Sequence, residues 1–275
     1  MRTHQRLLLC VFAAACGGRI DTSDPDLIDT ADAAVAIDGA RADGNGGVVD
    51  SGVDTGVDTG HYGPGGRRVV GSLVCAKQPH PLAKYFAEMT AFEAASVPAF
   101  RRMQRELTAH RAPRALVRAA ARSERDEIRH ARTMSSWTRR TGGTPARARI
   151  ARFRKRSFEA FAIENAVEGC VFEACGALLN CHQARAARSP ALRKTFGAIA
   201  RDEIRHAALA LAVDEWARAR LDASALDRIR TATAAAFAKL EDELEKPAPA
   251  FARDVGLPPP QVARALIAEL RAATG

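Results

Sequence analysis

The heptapeptide RDEIRHA occurs twice in this chain, at Arg125–Ala131 and at Arg201–Ala207, 76 positions apart. Each copy holds a glutamate and, three places on, a histidine: Glu127 with His130, and Glu203 with His206. In an α-helix, residues three apart lie about 60° apart around the axis and about 4.5 Å along it, so each pair points into one region. Both pairs interrupt apolar stripes of helical period, Leu116, Ala120, Met134 and Trp137 around the first and Leu192, Phe196, Ala210 and Val213 around the second. A carboxylate and an imidazole facing a core are costly unless something compensates them. Two such pairs meeting in one core add repulsion between carboxylates. A pair of divalent metal ions would relieve both.

The rest of the chain supplies helices to carry these pairs. Alanine and arginine dominate, which favours helix over strand. Phe86, Met89, Glu93, Ser96, Phe100, Met103 and Leu107 trace one face of a first helix, which stops before Pro113. The second, bearing the first RDEIRHA, ends at the TGGTP of residues 141–145. A third is expected over about 157–187 and a fourth, bearing the second RDEIRHA, from Pro190. The link between helices two and three is long enough to run the length of a bundle. Two more helices are expected near Leu226–Glu245 and Pro260–Ala273, as packing elements or a partner surface. Pro98 predicts a kink or bulge between Ala94 and Pro98, because its ring crowds the carbonyl of Ala94.

Two Glu-x-x-His pairs plus one glutamate from each remaining helix form the ligand set of dinuclear carboxylate bundles. Glu93 supplies one such glutamate, 34 residues before Glu127. The third helix offers two. Glu168 lies 35 before Glu203, matching the first hairpin, whereas Glu173 lies 30 before it but sits in FEAC, an echo of FEAA around Glu93. On an ideal helix the two point about 140° apart, so without a bulge they are not equivalent. Asp126 and Asp202 lie about 100° round from the adjacent glutamates. They could hold a metal-bound histidine on the neighbouring helix, or pair with Arg129 and Arg205.

FEAASVPAF, DEIRH, EGCVFEACGA and DEIRH, in that order over residues 82–220, resemble the ferritin-like di-iron carboxylate superfamily, and are most similar to exported bacterial ferritin-like proteins. The resemblance implies an all-α fold: a ferritin-like four-helix bundle with a long crossover between helices 2 and 3, followed by C-terminal helices. It implies Glu93 and one of Glu168 and Glu173 as terminal ligands, Glu127 and Glu203 as bridges, and His130 and His206 as ligands of one metal each. The cofactor implied is two iron ions, with manganese using the same ligand types. D-E-x-R-H tilts the resemblance toward oxygen activation, with dioxygen or peroxide and an unknown small substrate as reactants. The alternative is a non-catalytic metal-binding or purely structural helical envelope protein.

MRTHQRLLLCVFAAACGG at the N-terminus has a basic start, a short apolar run and then small residues, the pattern of a secretory signal. AAAC at Ala13–Cys16 resembles a lipobox, with alanine where leucine is usual, and makes Cys16 the expected lipidation site. Residues 1–16 are thus read as a leader and 17–66 as an acidic Gly/Asp-rich tether that cannot form a core. Residues 67–220 form the bundle and 221–275 a helical extension. The expected location is the cell envelope, anchored to a membrane by the N-terminal lipid. Four arginines face ten aspartates in residues 1–66, leaving 37 of the 41 basic and 22 of the 32 acidic side chains to the remainder. The excess is read as arginine on solvated helix faces, and no nucleic-acid motif accompanies it. Export permits disulfides, and Cys75–Cys181 is the expected pair because the segment before helix one should approach the end of helix three.

Overall fold

The structure is a computed structural model and describes Val11, Phe12, Ala15, residues 71–150 and residues 156–274 of the 275-residue chain. The leader, tether and lipidation site expected within residues 1–66 lie outside the described residues, apart from those three. Among the described residues the fold is almost wholly helical, as expected: α1 Pro81–Ala109, α2 Arg114–Arg140, α3 Phe158–Glu164, a π-helical segment Asn165–Glu173, α4 Ala174–Ala186, α5 Pro190–Arg218, α6 Ala223–Leu244, α7 Ala252–Val255 and α8 Pro260–Thr274.

Local chemistry sets the helix ends. Pro81 and Pro190 occupy first turns, where a missing N–H costs nothing. The side chains of His80, Ser157 and Asp222 accept from the backbone N–H of Ala83, Ala160 and Ala225, capping α1, α3 and α6. Glu164, Asn165, Glu173 and Ala174 all have right-handed helical dihedrals, so α3, the π segment and α4 form one continuous rod.

Two antiparallel helical hairpins pack together through α2 and α5. In the first, Thr90 Oγ1 meets Thr138 Oγ1 at 3.0 Å near one end, and Arg101 binds Glu124 at 2.7 Å further along. The crossover then runs back along the first hairpin. Its start is fixed beside the beginning of α1, where His80 Nε2 lies 3.0 Å from Thr141 O. Its end is fixed beside the end of α1, where Arg156 donates to Glu106 at 2.5 and 2.9 Å. Helix α3 therefore starts at the far end, and the α3–α4 rod runs parallel to α2 and antiparallel to α1. Gln183 near the end of α4 accordingly donates to Tyr85 Oη near the start of α1, at 3.0 Å.

The crossover contains a feature the helical pattern did not predict. Strand β1 (Gly71–Val74) pairs antiparallel with β2 (Arg147–Ile150), Gly71 opposite Ile150 and Val74 opposite Arg147. The pair straps the crossover to the segment leading into α1. The C-terminal helices pack on the other hairpin: α6 lies against α3 and the π segment, and α8 against α4 and α6. Ile229, Phe237, Ile267 and Leu270 are the buried anchors. Phe12 is also fully buried, and the carbonyl of Ala15 accepts from Arg185 at 3.1 Å.

Two expectations are corrected. Helix α1 continues as α-helix through Pro98, so of the kink or bulge expected there the bulge is absent, and a bulge lies in the third rod, as the π segment. Cys75 and Cys181 are not bonded to each other: Cys75 is a free thiol that accepts from Gln78 at 3.4 Å, whereas Cys181 is in a disulfide whose partner lies outside the described residues. The strand pair and Gln78, which also bonds Thr144, hold Cys75 to the crossover rather than to α4.

Candidate metal centre

The apolar stripes of four helical elements deliver six side chains, all glutamate or histidine, to one interior point. Glu93 comes from α1, Glu127 and His130 from α2, Glu173 from the last position of the π segment, and Glu203 and His206 from α5. All six are at most 2 % exposed. They fall into two overlapping sets, Glu93, Glu127, His130 and Glu203 in one and Glu127, Glu173, Glu203 and His206 in the other. Within each set one ligand atom per residue lies within 4.8 Å of all the others, so each set could hold a metal ion. Glu127 and Glu203 belong to both.

Glu168 is buried too but belongs to neither set. The matching spacing favoured it, and the spacing misleads because the hairpins differ in length. Glu127 and Glu203 each stand 13 residues into their helices, but α1 continues 16 residues beyond Glu93 and α4 only 13 beyond Glu173. One helical turn is missing from the second hairpin, and the FEAC echo proves the better guide. The π segment ends at Glu173. Such segments are rare and occur mostly at functional sites, where they alter side-chain direction at little cost in length.

Both imidazoles are oriented from the opposite hairpin. His130 Nε2 lies 3.0 Å from Asp202 Oδ2, and His206 Nε2 lies 3.3 Å from Asp126 Oδ2. An ionised carboxylate only accepts, so each Nε2 carries the proton and donates. Each Nδ1 then faces the cluster. His130 Nδ1 lies 3.2 Å from Glu203, 3.5 Å from Glu93 and 3.7 Å from Glu127. His206 Nδ1 lies 3.3 Å from Glu127 and 3.6 Å from both Glu173 and Glu203. Arg129 bridges Asp126 and Asp202 at 2.5 and 3.1 Å, and Arg205 bridges the same two at 3.3 and 2.5 Å. The aspartates thus do both things their positions allowed, holding histidines and pairing with arginines. The arginines' bridging role was readable only in the identity of the whole repeated heptad. Phe100, which the sequence marked only as core, lies with its ring 5.0 Å from that of His206.

The cluster's inner atoms fit cations. Glu93 Oε2, both carboxylate oxygens of Glu127, Glu203 Oε2 and the Nδ1 atoms of both histidines are buried without a hydrogen-bond partner among the described residues. Such atoms are rare in folded proteins because each carries a desolvation cost. Their Nδ1-to-carboxylate contacts fall short of hydrogen-bond geometry, so they act through charge. Burial pushes Glu93 well above the usual carboxylate range, His130 opposing and the charges of Glu127 and Glu203 adding. Burial acts on Glu127 in the same sense, but His130 and His206 outweigh it and hold that carboxyl far below its usual range. Burial alone would lower both histidines. Asp202 with the three nearby glutamates holds His130 well above its ordinary value, and Glu203, Asp126 and Glu127 do the same for His206. Asp126 and Asp202 are held low despite burial, by His206 and His130 and by the arginines. Without metal, Glu93 and both imidazoles therefore favour their protonated forms, which offsets part of the cluster's negative charge.

Comparison of the chain with protein-family models, with curated proteins and with solved structures gives no match, so the fold and the buried Glu/His cluster are what bear on its function.

Proposed function

We infer that this chain is an exported ferritin-like four-helix bundle that binds two divalent metal ions, iron in the first instance, and uses them in oxidative chemistry with dioxygen or peroxide. The observation that carries the reading is the pair of overlapping ligand sets sharing Glu127 and Glu203, whose inner atoms lack partners. In it, Glu93 and His130 would serve one ion, Glu173 and His206 the other, and Glu127 and Glu203 both. Bound ions of this kind supply Lewis acidity and, where redox-active, electrons to an oxidant. The chain's own residues keep the imidazole Nδ1 lone pairs aimed inward, since Asp202 and Asp126 hold the Nε2 protons. Phe100 and the surrounding apolar side chains keep bulk water from the cluster. The basic, apolar and then small N-terminal residues support a leader, and the lipobox-like AAAC supports membrane anchoring at Cys16.

The second reading is a metal-free or non-catalytic envelope module. It is favoured by the raised pKa of Glu93 and of both imidazoles, whose protons would offset part of the cluster's negative charge without metal. Metal analysis of the purified chain, with visible spectra after ferrous iron and then oxygen are added, separates the two. Two metal ions per chain and a new absorption band support the first. A chain that takes up no metal, with Glu127→Ala and Glu203→Ala behaving as wild type, would overturn it.

A further inference from the structure

The outward face of α2 carries arginines at a fixed interval. Arg118, Arg125, Arg132 and Arg139 recur every seventh residue, and all four are exposed. Seven residues fall about 20° short of two full helical turns and advance about 10.5 Å. The four side chains therefore stand in a nearly straight ridge about 31 Å long.

This ridge differs from the arginine-bearing faces of α6 and α8. On α6 and α8 every arginine has an acid: Arg228 with Glu159, Arg230 with Asp227, Arg264 with Glu245 and Arg271 with Glu241. Along α2 the acids are committed elsewhere. Glu124 binds Arg101, Asp126 binds Arg129, Arg205 and His206, and Glu127 belongs to the buried cluster. None of the four ridge arginines has an ion pair among the described residues. A helix face built only for solubility mixes signs, since an acid one turn before a base stabilises the helix. The ridge forgoes that at four successive heptads. Helix α2 packs on α1 and α5, while α6 and α8 lie against the other hairpin, so among the described residues no other helix covers its remaining side.

We propose that this ridge seats the domain on an anionic lipid surface. A straight line of cations can touch a plane along its whole length, and acidic lipids diffuse within a bilayer to meet it. The one Trp, Tyr or Phe of this helix, Trp137, packs inward on Phe86 and donates to Thr195, so no aromatic ring stands among the four arginines to stack on bases, which a single-stranded nucleic acid would need. The exposed large hydrophobic residues among those described, Ile150 and Val262, lie off this helix, so the contact is electrostatic and stays at the headgroups. The inference does not depend on the metal centre: the ridge residues contact none of the six cluster side chains.

The test is co-sedimentation of the full-length, unlipidated chain with phosphatidylcholine vesicles, pure or containing phosphatidylglycerol. Wild type should bind only the phosphatidylglycerol vesicles and should leave them as salt rises. Each arginine should contribute about fivefold, so Arg118→Gln/Arg125→Gln/Arg132→Gln should bind about 100-fold more weakly. Glutamine keeps helix propensity, and the same three positions as lysine should keep most of the binding. A control of equal charge, Arg230→Gln/Arg253→Gln/Arg264→Gln, should stay within about threefold of wild type. Equal losses in the two triple variants would overturn the proposal, because net charge would then suffice. So would failure of wild type to bind phosphatidylglycerol vesicles, or binding to a short DNA duplex that those vesicles do not compete away.

Discussion

Asp202, on the second hairpin, accepts the Nε2 proton of His130, on the first, at 3.0 Å. Asp126 returns the contact to His206 at 3.3 Å. Neither hairpin orients its own imidazole. Asp202→Asn or Asp126→Asn should therefore loosen the tautomer of the partner histidine while leaving all six cluster side chains in place. The expected result is metal affinity lower by about 10–100-fold with helicity unchanged. Competitive titration against a chelator of known affinity checks it, and equal affinity in the two variants and wild type would show the aspartates to be structural only.

Glu168 and Glu173 can be told apart directly. Glu173→Gln should reduce the bound metal from two ions toward one, whereas Glu168→Gln should leave the stoichiometry intact, since Glu168 belongs to neither ligand set. Metal content per chain after gel filtration reads the difference. The reverse pattern would mean the π segment presents the other carboxylate.

The metal-free chain should lose stability as the solution becomes alkaline. His130 and His206 have folded pKa values above their unfolded ones, as does Glu93. Stability from a raised group is fully present below its unfolded pKa, about 6.5 for histidine and about 4.3 for glutamate, and is lost as pH rises through the folded value. Glu127, Asp126 and Asp202 have lowered values, so their contribution is present above about pH 4 and is lost only in strong acid. Melting temperature of the metal-free chain should fall as pH rises above about 6.5, and metal should flatten that slope because it replaces the protons. A metal-free chain with a flat alkaline profile would contradict the assignment.

The cysteines should report on the fold without reduction. Cys75 is partly exposed and should take up a thiol reagent in the native state, without being found linked to Cys181. Non-reducing peptide mapping decides this, and a Cys75–Cys181 peptide would refute the described arrangement.

Gly256 sits at φ +70, and a Cβ there would lie 2.3 Å from the backbone nitrogen of Ala187. Its carbonyl lies 2.9 Å from His182 Nδ1, and the carbonyl of Val255 accepts from Gln183 at 2.9 Å. Gly256→Ala should cost about 2–4 kcal/mol by combining left-handed strain with overpacking. Denaturant unfolding measures it, and a loss below about 0.5 kcal/mol would mean that the segment shifts freely.

Much of this molecule was legible because two periods coincide. Apolar residues at helical spacing mark the long helices, and Glu93, Glu127, His130, Glu203 and His206 stand out as polar interruptions of those stripes. The features that were not legible depend on length or on pairing across distance. The choice between Glu168 and Glu173 depended on one helical turn missing beyond Glu173. The pairing of β1 with β2 joins two segments of four residues each, too short for a period to register. The bulge expected at Pro98 is absent because α1 absorbs its proline within an α-helix, whereas the run Asn165–Glu173 widens without one. The fate of Cys181 turns on a partner outside the described residues.

The reciprocal grip between His130 and Asp202 and between His206 and Asp126 has the form of a two-fold dimer, in which each partner offers the other the same surface. Here the two partners are halves of one polypeptide, joined by the crossover. Joining them makes their meeting a first-order event with a fixed effective concentration. A dimer of single hairpins would come apart on dilution and take its buried carboxylates into water with it. This chain assembles the same pocket at any dilution, and the strap of β1 on β2 shortens the path its halves must search.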